Sequence, residues 1–227
     1  MIDLATWNLS IPVGIPAATI DTPLLVNGYQ DHYFQSQDGT IRLWAPVNGS
    51  TTPNSAYPRS EMRETFADGT LRNWKYPSAA NHTLNASLSI EQVPSTGMIA
   101  ISQIHTKNSN SPPVMLGYQY YAKTGYGDIT LAWRAKPTDA NSKKVVLLKN
   151  VKLGQTFAYT INLSSSGVLS ISTRAPSGTQ SKWQGTLNKS WASHLLYFKA
   201  GVYTLDNNGY ETEAGAARFN QLSIAHR

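Results

Sequence analysis

The sequence predicts an all-β protein in which antiparallel strands form a sandwich or jelly roll. Three observations support this fold class. Apolar and polar residues alternate with a period of two in many segments, as in strands that bury one face. Stretches rich in Gly, Pro, Asn and Ser separate these segments at short intervals. Signals for helices are weak throughout the chain.

The alternation identifies individual strands. Apolar side chains occupy every second position over residues 41–47 and again over 84–90. Residues 157–163 and 168–173 follow the same pattern, and the short segment between them ends at Gly167. Two alternating segments joined by a glycine-containing loop predict a β-hairpin.

One short helix is predicted over residues 22–28. Thr22 can cap its beginning, Pro23 suits the first helical position, and Asn27 with Gly28 can end it. These signals allow one or two turns at most.

The remaining sequence indicates one domain. No long linker, internal repeat or low-complexity tract interrupts the chain, and residues 48–58, 107–113 and 137–142 have the composition of loops. A length of 227 residues suits one large β domain. We therefore predict a single domain over residues 1–227.

The composition excludes several classes of protein. With 41% hydrophobic and only 14% charged residues, the chain is too apolar for a disordered protein. No apolar run approaches the roughly 20 residues that span a bilayer, so no membrane partner is expected. Because the chain has no cysteine, disulfides, thiol nucleophiles and cysteine-ligated metals are absent. No Asp or His cluster has the spacing of a calcium or zinc site, so we predict no metal site.

The charge suggests a partner. The net charge is +6, from 19 Lys and Arg against 13 Asp and Glu, and the basic residues are scattered. Nucleic-acid-binding proteins more often cluster them in a stripe, so no nucleic-acid partner is expected. A mild positive field suits a polyanion of lower charge density, such as an acidic polysaccharide. The alternative is that the net charge has no functional meaning.

Three predicted strands carry polar residues on one face. In the first, Arg59, Glu61 and Arg63 share a face. Such charges are costly to bury unless they are paired. They belong either to an exposed edge strand with weak ion pairs or to the floor of a groove that binds carboxylates.

The second strand covers residues 98–105 and places Ile99, Ile101, Gln103 and His105 on one face. It is apolar on both sides at its start, which predicts a central position in a sheet. A single histidine on a strand is more often structural than catalytic. The neighbouring glutamine favours a functional site, because its amide can donate to a carboxylate or an oxyanion.

The third strand covers residues 195–203. Tyr197, Lys199, Gly201 and Tyr203 form its polar face, and the opposite face is purely apolar. The polar face therefore points to solvent or to a cleft. A glycine inside a strand often marks the close approach of a ligand or of another backbone.

These segments resemble the three signature segments of the alginate lyases of polysaccharide lyase family seven. The similar segments are residues 59–63, 103–105 and 197–203, in the family's order, and residues 4–12 are similar to its N-terminal stretch. The resemblance covers essentially the whole chain. It implies a β-jelly roll of two antiparallel sheets with a concave substrate groove, and a bacterial type of enzyme that cleaves 4-linked uronate chains by β-elimination.

The resemblance also implies roles for individual residues. Tyr203 and His105 match the family's catalytic tyrosine and histidine, whereas Gln103 and Arg59 match the pair that engages the substrate carboxylate. The residues assigned to substrate binding lie on the same strand faces: Glu61, Arg63, Lys199 and Tyr197.

The chemistry of elimination needs these residue types. Arg59 and Gln103 can stabilise the charge that develops when a base removes the C5 proton of the uronate. In mannuronate this proton and the leaving O4 lie on the same side, so Tyr203 can serve as base and acid. In guluronate they lie on opposite sides, which favours His105 as the base. No metal or other cofactor is required.

The resemblance extends to substrate preference. Isoleucine in the middle of Gln-Ile-His, here Ile104, is associated in the family with guluronate-containing blocks, so guluronate or mixed blocks and endolytic cleavage are expected. The chain departs from the family at Met62, where leucine is usual. It also has Thr204-Leu205 after the catalytic tyrosine, where many members have Asn-Gln or Thr-Gln.

Three other functions fit parts of the sequence. A lyase for another polyuronate, such as glucuronan, needs the same residues. A non-catalytic polysaccharide-binding sandwich explains the aromatic residues and the fold, but not the occurrence of Gln103, His105 and Tyr203 together with Arg59. A glycoside hydrolase needs two acids, and the closely spaced pair Glu211 and Glu213 lies in a predicted loop.

The expected partner is alginate or its oligosaccharides, bound by a monomer. Such a substrate suggests an extracellular or periplasmic location. No basic segment followed by an apolar one, the pattern of a secretory signal, occurs at the N-terminus. The sequence therefore leaves the localisation unknown.

Overall fold

The computed structural model describes residues 2–107 and 109–227. Within these ranges the chain forms two antiparallel sheets of eight and seven strands. The all-β sandwich predicted from the alternation is confirmed. Among the described residues, no helix combines the length and apolarity needed to cross a membrane.

The front sheet carries all three motif strands. Its eight strands are, in spatial order, β10 (Lys143–Val151), β9 (Tyr126–Trp133), β8 (Ser109–Tyr121), β7 (Met98–Thr106), β14 (Leu196–Tyr203), β5 (Arg59–Glu64), β1 (Trp7–Ser10) and β2 (Thr19–Ile20).

The back sheet covers the apolar face of the front sheet. Its seven strands are, in spatial order, β13 (Gln180–Thr186), β12 (Val168–Arg174), β11 (Thr156–Leu163), β6 (His82–Gln92), β15 (Ala214–His226), β4 (Thr40–Pro46) and β3 (Phe34–Gln37). The predicted hairpin is confirmed as β11 and β12, and Gly167 adopts a φ of 90° in the connecting turn.

The core lies between the two sheets and fixes the direction of the motif side chains. On β14, Leu196, Phe198, Ala200 and Val202 are completely buried. Because successive side chains of a strand point to opposite faces, the intervening residues of β14 must point away from the core. This alternation turns the polar face of β14 outward.

The helix α1 (Thr22–Val26) confirms the predicted helix but not its cap. Asp21 occupies the N-cap position, and Pro23 lies in the first turn as predicted. The Thr22 hydroxyl instead hydrogen-bonds to the hydroxyl of Thr65 at 2.8 Å. Two short 3₁₀ helices, Leu4–Thr6 and Lys189–Ser193, complete the helical structure of the described residues.

Two local predictions differ from the structure. The loop predicted over 107–113 includes Asn108, which lies outside the described residues, but β8 already begins at Ser109. In β7, the register with β8 shifts between Ala100 and Ser102. This irregularity interrupts the strict alternation at Ile99, so Ile99 does not share the face of Gln103 and His105 and packs near Val202 in the core.

Candidate active site

The three motif strands are direct neighbours in the centre of the front sheet, in the order β7, β14, β5. The prediction that β7 is central is confirmed. Pairs of predicted site residues lie opposite each other in the register: Tyr203 with Arg59, Lys199 with Arg63, Lys199 with Gln103, and Tyr197 with His105.

The Arg-Glu-Arg face of β5 does not lie on an exposed edge. Strand β5 is flanked by β14 and β1, and the side chains of Arg59 and Glu61 are 8% and 1% exposed. The edge-strand interpretation is therefore wrong. Ion pairs this deeply buried are costly to form, so they indicate a role beyond surface charge.

Glu61 is the centre of the charged network. One carboxylate oxygen accepts hydrogen bonds from Arg59 Nη1 at 2.7 Å and from Lys199 Nζ, and the other accepts from Gln103 Nε2 at 2.7 Å. Burial would raise the pKa of Glu61, but the charges of Lys199 and Arg59 outweigh it and lower this pKa to about 2. Glu61 is therefore a carboxylate that fixes three side chains from three strands.

Arg59 connects this network to Tyr203. Its guanidinium carbon lies 4.0 Å from the centroid of the Tyr203 ring. Arg59 Nη2 also donates to Ser55 Oγ at 2.7 Å, and Ser55 Oγ lies 3.1 Å from the Tyr203 hydroxyl. The contacts hold the tyrosine hydroxyl beside a cation.

His105 is held at its Nδ1 atom. The Tyr197 hydroxyl lies 3.0 Å from Nδ1, and the backbone amide and carbonyl of Thr106 are each 2.8 Å from it. Burial and the nearby charge of Lys199 lower the pKa of His105 to about 4. The imidazole is therefore neutral at physiological pH and can accept a proton.

Arg63 supports Tyr197. Its guanidinium carbon lies 3.8 Å from the centroid of the Tyr197 ring, and the guanidinium donates to Asn73 Oδ1 at 2.8 Å and to the Glu64 carbonyl at 2.9 Å. This chain of contacts ends at His105, because the rings of Tyr197 and His105 are stacked with centroids 5.3 Å apart.

Most of these side chains line one groove of about 560 Å³. Its floor includes six of the predicted residues: Arg59, Gln103, His105, Tyr197, Lys199 and Tyr203. Residues 52–57 form one wall, and Lys107, Ser109 and Arg134 lie on another side. The floor therefore combines a cationic surface with a histidine and a tyrosine that can exchange protons.

Two predicted residues, Glu61 and Arg63, do not line the groove. Glu61 lies beneath it, with both oxygens bound by neighbouring side chains. Arg63 lies behind Tyr197. Glu61 and Arg63 therefore affect the groove through the groove-lining side chains that they contact.

Gly201 fits its position because a neighbouring backbone lies close. It has a φ of 149°, and a Cβ atom there would lie 2.6 Å from the Ser60 carbonyl oxygen and 2.7 Å from Glu61 Cα. Of the two alternatives that the sequence allowed, the structure shows the approach of strand β5.

Three residues of the site were missed in the sequence: Ser55, Asn73 and Thr106. Ser55 and Asn73 lie outside the motif strands, and no local pattern marks them. Thr106 directly follows His105 in the sequence, and this adjacency was the one feature that could have identified it as part of the site.

The acids considered for a glycoside hydrolase lie elsewhere. Glu211 and Glu213 are in the loop that precedes β15, and Glu213 accepts a hydrogen bond from the backbone amide of Ser95. Within residues 2–107 and 109–227, no group of three or more His, Cys, Asp or Glu side chains could hold a metal ion.

A family model described as alginate lyase matches residues 2–226. The chain belongs to the alginate lyase family. An alginate lyase from Klebsiella pneumoniae is 28% identical over a match that covers 99% of the chain and 89% of that protein. Family membership makes the chain a polysaccharide lyase, so the predicted enzyme class is confirmed.

Solved alginate lyase structures share the fold. An alginate lyase from Pseudomonas aeruginosa is 44% identical, with a TM-score of 0.92 over 99% of this chain and 100% of that one. Alginate lyase A1-II′, a member of polysaccharide lyase family 7, is 28% identical, with a TM-score of 0.85 over 99% and 96% of the two chains. The predicted jelly-roll fold and family resemblance are thereby confirmed.

Proposed function

We propose that this alginate lyase cleaves its substrate by β-elimination in the groove of the front sheet. The observation that carries the proposal is the presence of His105 and Tyr203 in one groove with the buried pair Arg59 and Gln103. The reaction requires a base, an acid and a means of stabilising a carboxylate that gains charge. These four residues can supply all three.

Arg59 and Gln103 bind the carboxylate of the sugar that loses its C5 proton. Glu61 holds both side chains, so they are positioned before the substrate arrives. Both residues line the groove, so a carboxylate bound there meets a cation and a neutral amide donor.

Tyr203 and His105 transfer the protons. Tyr203 takes the C5 proton and protonates O4 when both lie on the same side, as in mannuronate. For guluronate, His105 takes the C5 proton and Tyr203 protonates O4. The lowered pKa of His105 supports its role as a base, because a neutral imidazole can accept a proton.

The remaining predicted residues bind or position the substrate. Lys199 and Tyr197 line the groove and can contact the sugar chain. Glu61 positions three side chains of the groove, which are those of Arg59, Gln103 and Lys199. Arg63 positions the ring of Tyr197.

The enzyme acts endolytically. A second segment of the groove, of about 520 Å³, shares Tyr57, Met115, Ser142 and Leu205 with the first. A groove longer than the catalytic segment can hold sugar units on more than one side of the bond that is cleaved. Binding within a chain, rather than only at its end, favours endolytic cleavage.

Guluronate or mixed blocks are the preferred substrates. The support is Ile104, which is fully buried and therefore acts through packing beneath Gln103 and His105. A variant of A1-II′ has been solved with a substrate written GGMG, and it is 27% identical to this chain with a TM-score of 0.85. That variant replaces one histidine with asparagine and one tyrosine with phenylalanine, the residue types proposed here as catalytic.

The enzyme works as a monomeric single-domain protein. All four proposed catalytic residues come from one chain, so the groove needs no contribution from a partner. Light scattering of the purified protein tests this proposal, and a dimer that dissociates with loss of activity would contradict it.

Product analysis tests the proposed function. Poly-guluronate, poly-mannuronate, mixed-block alginate and glucuronan are each incubated with the enzyme, and the C4–C5 double bond is followed by ultraviolet absorbance. We expect unsaturated oligosaccharides of several lengths from guluronate or mixed blocks at early times. Early release of monomer alone would contradict endolytic cleavage, and faster turnover of glucuronan would contradict the substrate.

The Tyr203→Phe variant tests the site. We expect a loss of kcat of roughly 10²–10⁴-fold, the usual contribution of a general acid or base. Tyr210→Phe, on an exposed loop, is the matched control and should retain activity. Near-normal activity of Tyr203→Phe would show that the catalytic site is wrongly assigned.

A further inference from the structure

Leu205 has an unusual backbone conformation two residues after Tyr203. Its φ is 51°, in the left-handed region that branched and bulky residues rarely adopt. The other non-glycine residues of the described chain with positive φ are Asp38, Asn54 and Asn150. Asn and Asp tolerate this region because their short polar side chains can hydrogen-bond locally, whereas leucine gains no such compensation.

The surrounding turn holds Leu205 in this conformation. On one side, the amide and hydroxyl of Thr204 both donate to the Pro58 carbonyl at 3.1 Å, and the hydroxyl also lies 2.8 Å from the Asp206 carbonyl. On the other side, Asn207 Nδ2 donates to the Ala56 carbonyl at 3.1 Å. Strained conformations persist where neighbouring contacts determine them, and they occur often at functional sites.

The strained residue lies where the two segments of the groove meet. It lines the catalytic segment that contains Tyr203 and also the second segment. The second segment has a mostly apolar lining, including Met98, Met115 and Val146. Leu205 therefore borders a cationic surface on one side and an apolar surface on the other.

We propose that Leu205 is a specificity-determining residue for the sugar unit next to the one held by Arg59 and Gln103. A carboxylate pressed against Leu205 would lose water without gaining a partner, which is costly. The adjoining unit must therefore direct its carboxylate away from Leu205. Mannuronate and guluronate are epimers at C5 and orient this group differently, so an apolar residue here distinguishes them.

The inference rests on the proposed position of the catalytic groove, and two variants test it. Leu205→Ala and Leu205→Gly both remove the apolar side chain, but only glycine adopts positive φ without strain. The measured quantity is the kcat/KM for poly-guluronate divided by the kcat/KM for poly-mannuronate. We expect each variant to bring this ratio about tenfold closer to one, because contacts in a pocket discriminate between similar substrates by factors of this size. Leu153→Ala, in a turn outside the groove, is the control and should keep the wild-type ratio.

Thermal melting tests the strain. At a position with ordinary φ, alanine is more stabilising than glycine. At position 205 we expect the reverse, with Leu205→Gly melting about 2–4 °C above Leu205→Ala. A higher melting temperature for Leu205→Ala than for Leu205→Gly would refute the backbone strain at position 205.

The ratio of kcat/KM for the two polymers decides whether Leu205 determines specificity. If both variants fold and keep the wild-type ratio, Leu205 does not determine specificity. Failure of the proposed function would look different, because Tyr203→Phe would then remain active whatever the Leu205 variants do.

Discussion

The Arg59 guanidinium and the Tyr203 ring are in van der Waals contact, with the guanidinium carbon 4.0 Å from the ring centroid. Both side chains also contact the hydroxyl of Ser55, at 2.7 Å from Arg59 Nη2 and 3.1 Å from the Tyr203 hydroxyl. A loop residue thus links the proposed carboxylate-binding arginine to the proposed acid. This link requires the wall formed by residues 52–57 to be in place.

Removal of the Ser55 hydroxyl should therefore reduce catalysis. We expect Ser55→Ala to lower kcat about tenfold with a smaller change in KM, because loss of orientation affects the transition state more than binding. Steady-state kinetics on alginate measure both constants. Ser223→Ala, on the exposed side of β15, is the control. A rise in KM with normal kcat would assign Ser55 to substrate binding instead.

Glu61 should be essential for stability as well as activity. Glu61→Gln leaves the buried cations Arg59 and Lys199 without a counter-charge, which should cost about 3–5 kcal/mol in the free energy of unfolding. Denaturant unfolding measures this change. The matched control is Glu91→Gln, because Glu91 also lies between two arginines, Arg42 and Arg218, but is partly exposed. It should cost under about 1 kcal/mol, and equal costs for the two variants would contradict the network.

The pH profile of kcat/KM should report the lowered pKa of His105. Because burial and the charge of Lys199 lower this pKa from 6.5 to about 4, the base remains neutral down to about pH 5. We expect activity on poly-guluronate to fall only as the pH approaches 4, at pH values where the protein is shown to remain folded. An NMR titration of His105 provides a direct check. An acid limb near pH 6.5 would contradict the prediction.

A second histidine, His82, is buried on strand β6 of the back sheet and does not line the groove. The His82 ring stacks on Trp74 with centroids 4.0 Å apart, and its Nδ1 atom lies 2.7 Å from Nδ1 of His226. His226 in turn contacts the buried carboxylate of Glu64, and Arg72 lies 3.5 Å from the same carboxylate. Burial, followed by the effect of His226, lowers the pKa of His82 from 6.5 to about 4.

This histidine should make stability depend on pH. As the pH falls, the unfolded chain binds a proton near pH 6.5, whereas the folded chain does so only near pH 4. The contribution of His82 is therefore complete above pH 6.5 and is lost as the pH falls toward 4. Between pH 7.5 and pH 5 this amounts to about 2 kcal/mol.

Denaturant unfolding at these two pH values tests the histidine. In His82→Gln, the stability difference between the two pH values should shrink by about 2 kcal/mol. The exposed His32 offers a control, and His32→Gln should keep the wild-type difference. An unchanged difference in His82→Gln would exclude His82 as the source.

Local sequence patterns predicted the strands but not which strands pair with each other in a sheet. Alternation identified β4, β6, β11, β12 and the three motif strands, because the period of two depends only on which side chains are buried. The placement of β14 between β7 and β5 depends on pairing between distant segments. Nothing in a local pattern specifies such pairs. The break in alternation at Ile99 was missed for a similar reason, since the register shift depends on the neighbouring strand β8.

By itself, the sequence determined the fold class, the family and the strand faces on which the polar residues lie. The tertiary structure alone decided that Glu61 lies beneath the groove and joins Arg59, Lys199 and Gln103, that Ser55 reaches Tyr203, and that Leu205 is strained at the junction of two groove segments. The physical reason is that side-chain direction follows from local backbone geometry. Burial, charge pairing and strain instead depend on which distant residues the fold brings together.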